Sequence, residues 1–304
     1  MFNWRSRSAH DERCAGGNQA ASRAIAVMLL ASLALSGPAF GKAGDEDEDE
    51  EDQPKSETFP NLYLDLTTTY GTLPAGALGI GFQNFSVLPT RSTPASQSVT
   101  INAPITLDLT DRVSVYGGAS FATSHTDVTS WSSLVATAWN VGVHAEVIQQ
   151  DGGALPTVTV QATLSRSIQA SLLATTTLTT LIEADYALNP DATTGLLAGV
   201  RHVGVEVDAD AANVKPSIIG YVGGYYQWPS NWKLSGRFGM QSFGGAQLLN
   251  RTPVGSFTQP IIRLDLDRMD DDDNRLFGFA LEIAWVPKPS YQLTLRTPLY
   301  AIKN

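Results

Sequence analysis

Residues 99–122, VTINAPITLDLTDRVSVYGGASFA, alternate apolar and polar side chains on both sides of a short central turn. Every second residue from Val99 to Leu109 is apolar, and the alternation resumes after the turn at Val113. Because side chains alternate across a β-strand, each arm has one apolar and one polar face. Each arm also reaches the roughly 9–11 residues with which a tilted strand crosses a bilayer. The stretch therefore predicts a hairpin of two membrane-spanning strands.

The same pattern recurs along the chain, between turns that use Gly, Pro, Asn and Asp. We predict an all-β fold, a transmembrane antiparallel up-and-down β-barrel of about twelve strands. A soluble sandwich or lipocalin-like barrel is the alternative, although it would bury its apolar face. Bacterial barrels have short periplasmic turns and longer outer loops, so the turn at Thr110 and Asp111 is placed in the periplasm. The predicted strands are residues 75–87, 97–109, 112–124, 135–149, 154–168, 174–188, 193–207, 214–227, 232–244, 257–267, 276–286 and 291–302.

Three places do not fit the simple pattern. Residues 61–70 also alternate, so residues 61–74 are either a first strand or a periplasmic lead-in to the barrel at 61–304. Pro104 lies in the middle of a strand, where it cannot donate to the ladder, and this predicts a bulge. The apolar phase of residues 193–207 changes near Arg201, which predicts a second bulge.

Residues 1–41 are typical of a cleaved signal peptide. Four arginines precede a twelve-residue apolar core at 24–35, which is shorter than the roughly 20 residues of a spanning helix. The small residues Ala39 and Gly41 then fit signal peptidase. The chain's one cysteine, Cys14, lies in this segment, so the mature protein is expected to have no disulfide and no thiol nucleophile.

The chain carries a net charge of −10, and residues 45–52, DEDEDEED, hold eight acidic side chains. Like charges at this density do not pack, so residues 42–60 are predicted to be a disordered acidic segment. It is either a solvated spacer or a tail that binds a cation or a partner. The acidity also argues against nucleic acid as a partner, because phosphates would be repelled.

The polar phase of the strands predicts which charged side chains face the barrel interior. A charge on the lipid face costs roughly 2–4 kcal/mol for Lys or Arg at the midplane, which favours the inward assignment. Acids in the middle strands and bases in the later ones suggest an electric field across the lumen. Alternatively, these groups pair and fill a narrow barrel without a transport role. The predicted lumen-lining residues are Asn140, His144, Glu146, Glu183, Asp185, Lys233, Arg237, Arg263, Asp265, Glu282 and Arg296.

Catalytic chemistry has less support in the sequence. His144 with Glu146, and His202 with Glu206, each share a strand face and could act as a base with its orienting acid. No nucleophile motif accompanies either pair, so we expect no enzyme activity and no catalytic residues. The acids at 270–273 lack the spaced ligands and glycine of a calcium loop. We therefore expect neither a metal site nor a cofactor.

The segments LPAG at residues 73–76 and LTDRVSVYGG at 109–118, followed by long alternating strands, resemble bacterial outer-membrane barrels. Within these, residues 73–302 most resemble the outer-membrane transporter family of phenol-degradation pathways. The resemblance implies a barrel that admits small organic, often aromatic, compounds.

Together these features predict an outer-membrane channel or transporter that admits small molecules by passive diffusion. The expected partners are the lipid bilayer, the barrel-assembly machinery and a small-molecule substrate. A structural or envelope-interaction barrel with a closed lumen is the first alternative, and a lipid-modifying enzyme is the second. Conductance across a planar bilayer distinguishes the channel from the closed barrel.

Overall fold

The computed structural model describes residues 61–75, 94–150, 152–168, 174–209, 212–247, 253, 255–270, 275–285 and 288–302. The predicted signal peptide at residues 1–41 and the acidic segment at 42–60 lie outside the described residues. No helix in the described part of the chain is long and apolar enough to cross a membrane.

The described chain is built from β-strands, as the alternating sequence predicts. Long strands alternate with turns, and two very short strands lie within the connections. The strands are β1 Leu62–Leu73, β2 Ser96–Asp108, β3 Val113–Thr126, β4 Val135–Ile148, β5 Thr157–Ser167, β6 Thr175–Ala187, β7 Thr194–Val207, β8 Asn213–Val214, β9 Ser217–Gln227, β10 Trp232–Phe243, β11 Ala246–Gln247, β12 Phe257–Met269, β13 Arg275–Trp285 and β14 Pro289–Ile302.

The twelve long strands form one closed antiparallel barrel. Each of them pairs with the long strands before and after it in the chain, and β1 pairs with β14 to close the sheet. The short strands β8 and β11 form a separate two-stranded sheet. The predicted fold class, an up-and-down barrel of twelve strands, is therefore confirmed.

The first strand of the barrel is β1, rather than the predicted strand at residues 75–87. Thr68 of β1 is opposite Ile101 of β2 on one side and opposite Leu295 of β14 on the other. No place for a further strand is left between β1 and β2. Residues 76–93 lie outside the described part of the chain. The barrel closes by pairing its first strand, β1, with its last, β14, and local alternation does not encode that pairing.

Both ends of the barrel chain and one set of connections lie at the same end of the barrel. These connections are residues 109–112, 149–156, 188–193, 228–231 and 270–274. Two of the turns contain a residue other than glycine with positive φ, Ala192 at 49° and Asn231 at 59°. The opposite end carries the connections between β1 and β2 and between β10 and β12. The three-residue connection between β13 and β14 also lies at that opposite end, but the two longest connections are there, away from the end that the sequence assigns to the periplasm.

Large apolar side chains cover the outer face of the barrel. Leu196, Val222 and Phe238 are 55%, 62% and 54% exposed. A soluble protein rarely leaves such a surface in water, whereas a membrane barrel presents an apolar band to lipid. Other exposed members of this band are Ile105, Val141, Ile182, Leu264, Leu281, Leu293 and Leu295.

The ladder around Pro104 is interrupted, but the register does not change. In the β1–β2 ladder, Leu64 is opposite Ile105 and pairing resumes at Thr67 opposite Asn102. The bulge predicted at Pro104 is therefore absent from this ladder. On the other side, Pro104 is opposite Gly118, where a side chain would collide with the backbone of β2.

The bulge predicted near Arg201 is also wrong. The register of β7 is continuous against both β6 and β9. The apolar phase changes because Val205 and Val207 face inward and pack on a cluster formed by Val214, Phe243 and Ala246. This apolar cluster lies near the end with the long connections, where the β8–β11 sheet joins two of them.

Candidate functional site

Contacts between strands that are not neighbours identify the side chains of the barrel interior. Arg237 on β10 reaches Glu183 on β6, although β7 and β9 separate these strands. Tyr116 on β3 and Thr163 on β5 form a hydrogen bond of 2.5 Å across β4. Only side chains on the concave face of a closed barrel can meet in this way.

Asp265 is the centre of the interior charges, and its side chain contacts three guanidinium groups. Arg263 Nε lies 2.9 Å from Oδ2 and its Nη2 lies 2.7 Å from Oδ1. Arg237 Nη1 lies 3.0 Å from Oδ2, and Arg296 Nη2 donates to Oδ1. Asp265 is only 2% exposed. Removing a carboxylate from water costs several kcal/mol, and these donors offset that cost.

Two further acids extend this centre on both sides. Arg237 Nε lies 3.3 Å from Glu183 Oε2, to which the hydroxyl of Tyr221 donates at 2.5 Å. Arg263 Nη1 lies 3.7 Å from Glu282 Oε2. The same arginine or acid therefore serves more than one partner, which makes the groups interdependent.

A second branch runs through Asp267. Arg275 Nε lies 3.0 Å from Asp267 Oδ1, and Arg296 Nη2 lies 3.5 Å from the same atom. Because Arg296 also binds Asp265, the two branches are continuous. We call the eight connected residues the charged network: Arg237, Arg263, Arg275, Arg296, Glu183, Asp265, Asp267 and Glu282.

A cavity of about 430 Å³ lies against the charged network inside the barrel. Its lining combines guanidinium groups with hydroxyl and amide side chains from β5 to β14. The lining residues are Gln161, Thr163, Thr179, Leu181, Glu183, Arg201, Tyr221, Arg237, Arg263, Asp265, Arg275 and Arg296.

The inner face of β1 and β2 carries small polar side chains instead. Thr69 donates to or accepts from Thr294 at 3.0 Å, and Thr294 is 3% exposed on the inner face of β14. Thr67, Thr100 and Asn102 occupy inner positions in register with Thr69. All four remain partly exposed although they face inward. We call Thr67, Thr69, Thr100 and Asn102 the small-residue wall.

Six of the predicted lumen residues meet in the charged network: Glu183, Arg237, Arg263, Asp265, Glu282 and Arg296. Their charges are interleaved. The predicted field, with acids on one side and bases on the other, is not the arrangement found. Asp265 and Glu282 lie in the same late strands as the arginines, and the charges pair directly.

Three other predicted residues lie on β4, away from this network. Asn140 is 8% exposed, and His144 and Glu146 are partly buried at alternate positions further along the strand. The ladder with β5 shifts between Glu146 and Ile148.

The last two predicted residues surround Tyr225. Asp185 forms a side-chain hydrogen bond with the Tyr225 hydroxyl. The Nζ atom of Lys233 lies 4.1 Å from the centroid of the same ring. This trio lies nearer the short-turn end than the charged network does, since Tyr225 and Lys233 flank the connection at residues 228–231.

Sequence reasoning missed four interior residues. Asp267 has the same phase as Asp265, and alternation would have found it. Arg275 falls just before the predicted strand at 276–286, and Tyr221 lies within the predicted strand at 214–227 but was not included among the lumen residues. Arg201 was missed because the bulge predicted there made its orientation ambiguous.

The two histidine pairs considered for catalysis lie on opposite faces of the barrel wall. His144 and Glu146 are on the inner phase of β4, while His202 and Glu206 alternate with the inward Arg201 on β7 and therefore face outward. Within the described residues, no three His, Cys, Asp or Glu side chains are arranged to hold a metal ion.

No protein-family model matches the chain, and a comparison with curated proteins gives no match. Solved structures do match. An outer-membrane channel from Pseudomonas putida F1 aligns with a TM-score of 0.51 at 10% identity, over 82% of this chain and 100% of that one. At this identity the likeness shows the fold alone.

Two further barrels align less closely. The translocator domain of the autotransporter NalP from Neisseria meningitidis has a TM-score of 0.41 at 12% identity, over 81% of this chain and 90% of that chain. The CymD monoaromatic hydrocarbon channel has a TM-score of 0.40 at 10% identity, over 81% and 88%. The alignment with the Pseudomonas putida channel supports an outer-membrane barrel fold, and the resemblance to the phenol-degradation transporter family stays a prediction.

Proposed function

We propose that this protein is an outer-membrane channel that admits small molecules by passive diffusion. The observation that carries the proposal is the unequal filling of the interior. The charged network spans the inner faces of β6 to β14 beside the cavity of about 430 Å³, whereas β1 and β2 carry the small-residue wall, whose four inward side chains are partly exposed.

The size of the barrel supports this proposal. Side chains just fill a barrel of about eight strands, and barrels of roughly 16–18 strands leave an aqueous channel. Twelve strands enclose a space between these limits. With threonine and asparagine on one side, the remaining space suits a narrow polar passage rather than a packed core.

The outer face supports the proposed location and partner. The apolar band contacts the lipid bilayer, and the short turns face the periplasm as in other outer-membrane barrels. Export through the signal peptide and insertion by the barrel-assembly machinery complete the proposal. It includes no cofactor and no enzyme activity.

Conductance across planar bilayers tests the proposal, with one variant that narrows the passage. Thr100→Trp places a large side chain on the small-residue wall and is expected to lower single-channel conductance by about half. Thr68→Trp is the matched control, because Thr68 has the opposite phase on the adjacent strand and faces lipid. Equal conductance of the two variants would contradict a passage along this wall.

The alternative is a barrel with a closed lumen that serves the envelope structurally. The apolar cluster of Val214, Phe243 and Ala246 favours it, since these side chains are at most 8% exposed near the end with the long connections. Absence of conductance in the wild-type protein, with normal insertion, would support this alternative.

A further inference from the structure

Arg201 is a buried cation that the charged network does not include. It lies on the inner face of β7 and is 8% exposed. Its Nε atom has no hydrogen-bond partner in the described structure, and no described acid lies within ion-pair distance of its guanidinium. A buried cation without a close ion-pair partner is costly, so a bound anion beside this side chain would be stabilising.

The acids nearest to Arg201 are already held by other arginines. The charged network contains four arginines and four acids. Glu282 interacts with Arg201 electrostatically, but Arg263 already holds its Oε2 atom at 3.7 Å. Arg201 therefore has no carboxylate of its own among the groups of the charged network.

Arg201 also lines the interior cavity. The cavity's volume of about 430 Å³ is in the range of sites for small ligands, which is roughly 300–1,000 Å³. Gln161 and Thr163 offer polar groups beside Arg201, and Leu181 and the ring of Tyr221 offer an apolar surface. The site thus combines a guanidinium that has no close ion-pair partner with polar and apolar contacts.

We propose that this cavity binds a small organic monoanion bearing a carboxylate, with Arg201 as its counter-ion. The planar guanidinium presents parallel donors that match the two oxygens of a carboxylate. A single negative charge matches the single charge of Arg201. The second charge of a dianion would meet repulsion from Glu183 and Asp265, which line the same cavity.

The bound anion is then the substrate class of the proposed channel. The anion site depends on the proposed channel only for the route by which the anion enters. Equilibrium binding is therefore measured separately from conductance. The full-length mature barrel, purified in detergent, is titrated with benzoate in a calorimeter, and benzyl alcohol serves as the uncharged probe of nearly the same shape.

The key variant is Arg201→Gln, and its matched control is Arg166→Gln. Arg166 has an acid partner, Asp208, at 2.8 Å, and both side chains are more than 40% exposed. We expect wild type and R166Q to bind benzoate alike, and R201Q to bind it at least about tenfold more weakly, the loss of one charge-assisted contact. Benzyl alcohol should bind all three proteins weakly and equally.

Arg201→Lys keeps the proposal testable if R201Q does not fold. The lysine retains the charge but loses the planar pair of donors, so benzoate affinity should fall while preference over benzyl alcohol persists. No benzoate binding by the wild type, equal binding by R201Q and R166Q, or equal affinity for the two probes would each overturn the proposal. A binding barrel that does not conduct would refute the channel and leave the anion site standing.

Discussion

Replacing Asp265 with asparagine should be among the most damaging single changes in the barrel. The substitution keeps the size of the side chain and removes its charge. Three guanidinium groups, those of Arg237, Arg263 and Arg296, then face a neutral amide in a site where Asp265 is only 2% exposed. Removing one partner of a buried ion pair costs about 3–5 kcal/mol, because the other charge is left uncompensated.

The contacts that remain bound the loss in the free energy of unfolding. Arg237 retains Glu183, Arg263 retains Glu282 and Arg296 retains Asp267, at 3.3, 3.7 and 3.5 Å. Each arginine therefore keeps one weaker partner, and the loss should stay near the lower end of that range, at about 3 kcal/mol.

Asp208→Asn is the matched control. Asp208 also binds an arginine, Arg166 at 2.8 Å, but the pair is partly exposed at 43% and 42%. Exposed pairs contribute about 0–1 kcal/mol. Urea unfolding of both variants in lipid vesicles, followed by tryptophan fluorescence, gives the two free energies of unfolding.

If D265N lowers the free energy of unfolding no more than D208N does, Asp265 is not the electrostatic centre of the barrel. Adding Arg263→Gln to D265N supplies a second test. If the arginines destabilise the variant by mutual repulsion, the double variant should regain part of the lost stability.

Two further predictions concern the charges and the packing of the wall. Replacing both Arg237 and Arg263 with glutamine leaves the interior acids in excess. The reversal potential across a salt gradient should therefore shift toward cation selectivity. An unchanged reversal potential in a conducting barrel would place these arginines outside the passage. Gly118→Val should prevent stable folding, because a Cβ would collide with the backbone of Ala103 and Pro104. Gly117→Val should be tolerated, since the nearest atom to a Cβ there is 3.6 Å away. Heat-modifiability on gels compares the folding of the two variants.

The sequence predicts the strands well because their signal is local. Alternation along β2 and β3 and the residues of the intervening turn suffice to define a hairpin. Alternation did not decide which segment forms the first strand of the barrel. Residues 61–70 and 75–87 both alternate, and only the pairing of β1 with β14 selects between them.

The interior was predicted in part, for a related reason. Alternation gives the face of Arg237, Arg263 or Asp265 but not the partners of their side chains. Those partners depend on the register of several strands and on the curvature of the wall, which bring β10, β12 and β14 to one carboxylate. Arg201 was missed because apolar side chains near one end of β7 face inward, so hydrophobicity no longer reports orientation there.

The composition of the interior is itself an argument for an aqueous role. Apolar side chains of similar volume could replace a buried ion pair at no cost or with a gain of about 1–4 kcal/mol. A barrel selected only for stability would therefore gain by filling these positions with the kind of side chain found in the apolar cluster at Val214 and Phe243. The charged network and Arg201 instead occupy the inner faces of β6 to β14, while the small-residue wall occupies those of β1 and β2. Stability alone does not account for that arrangement, whereas the proposed passage does.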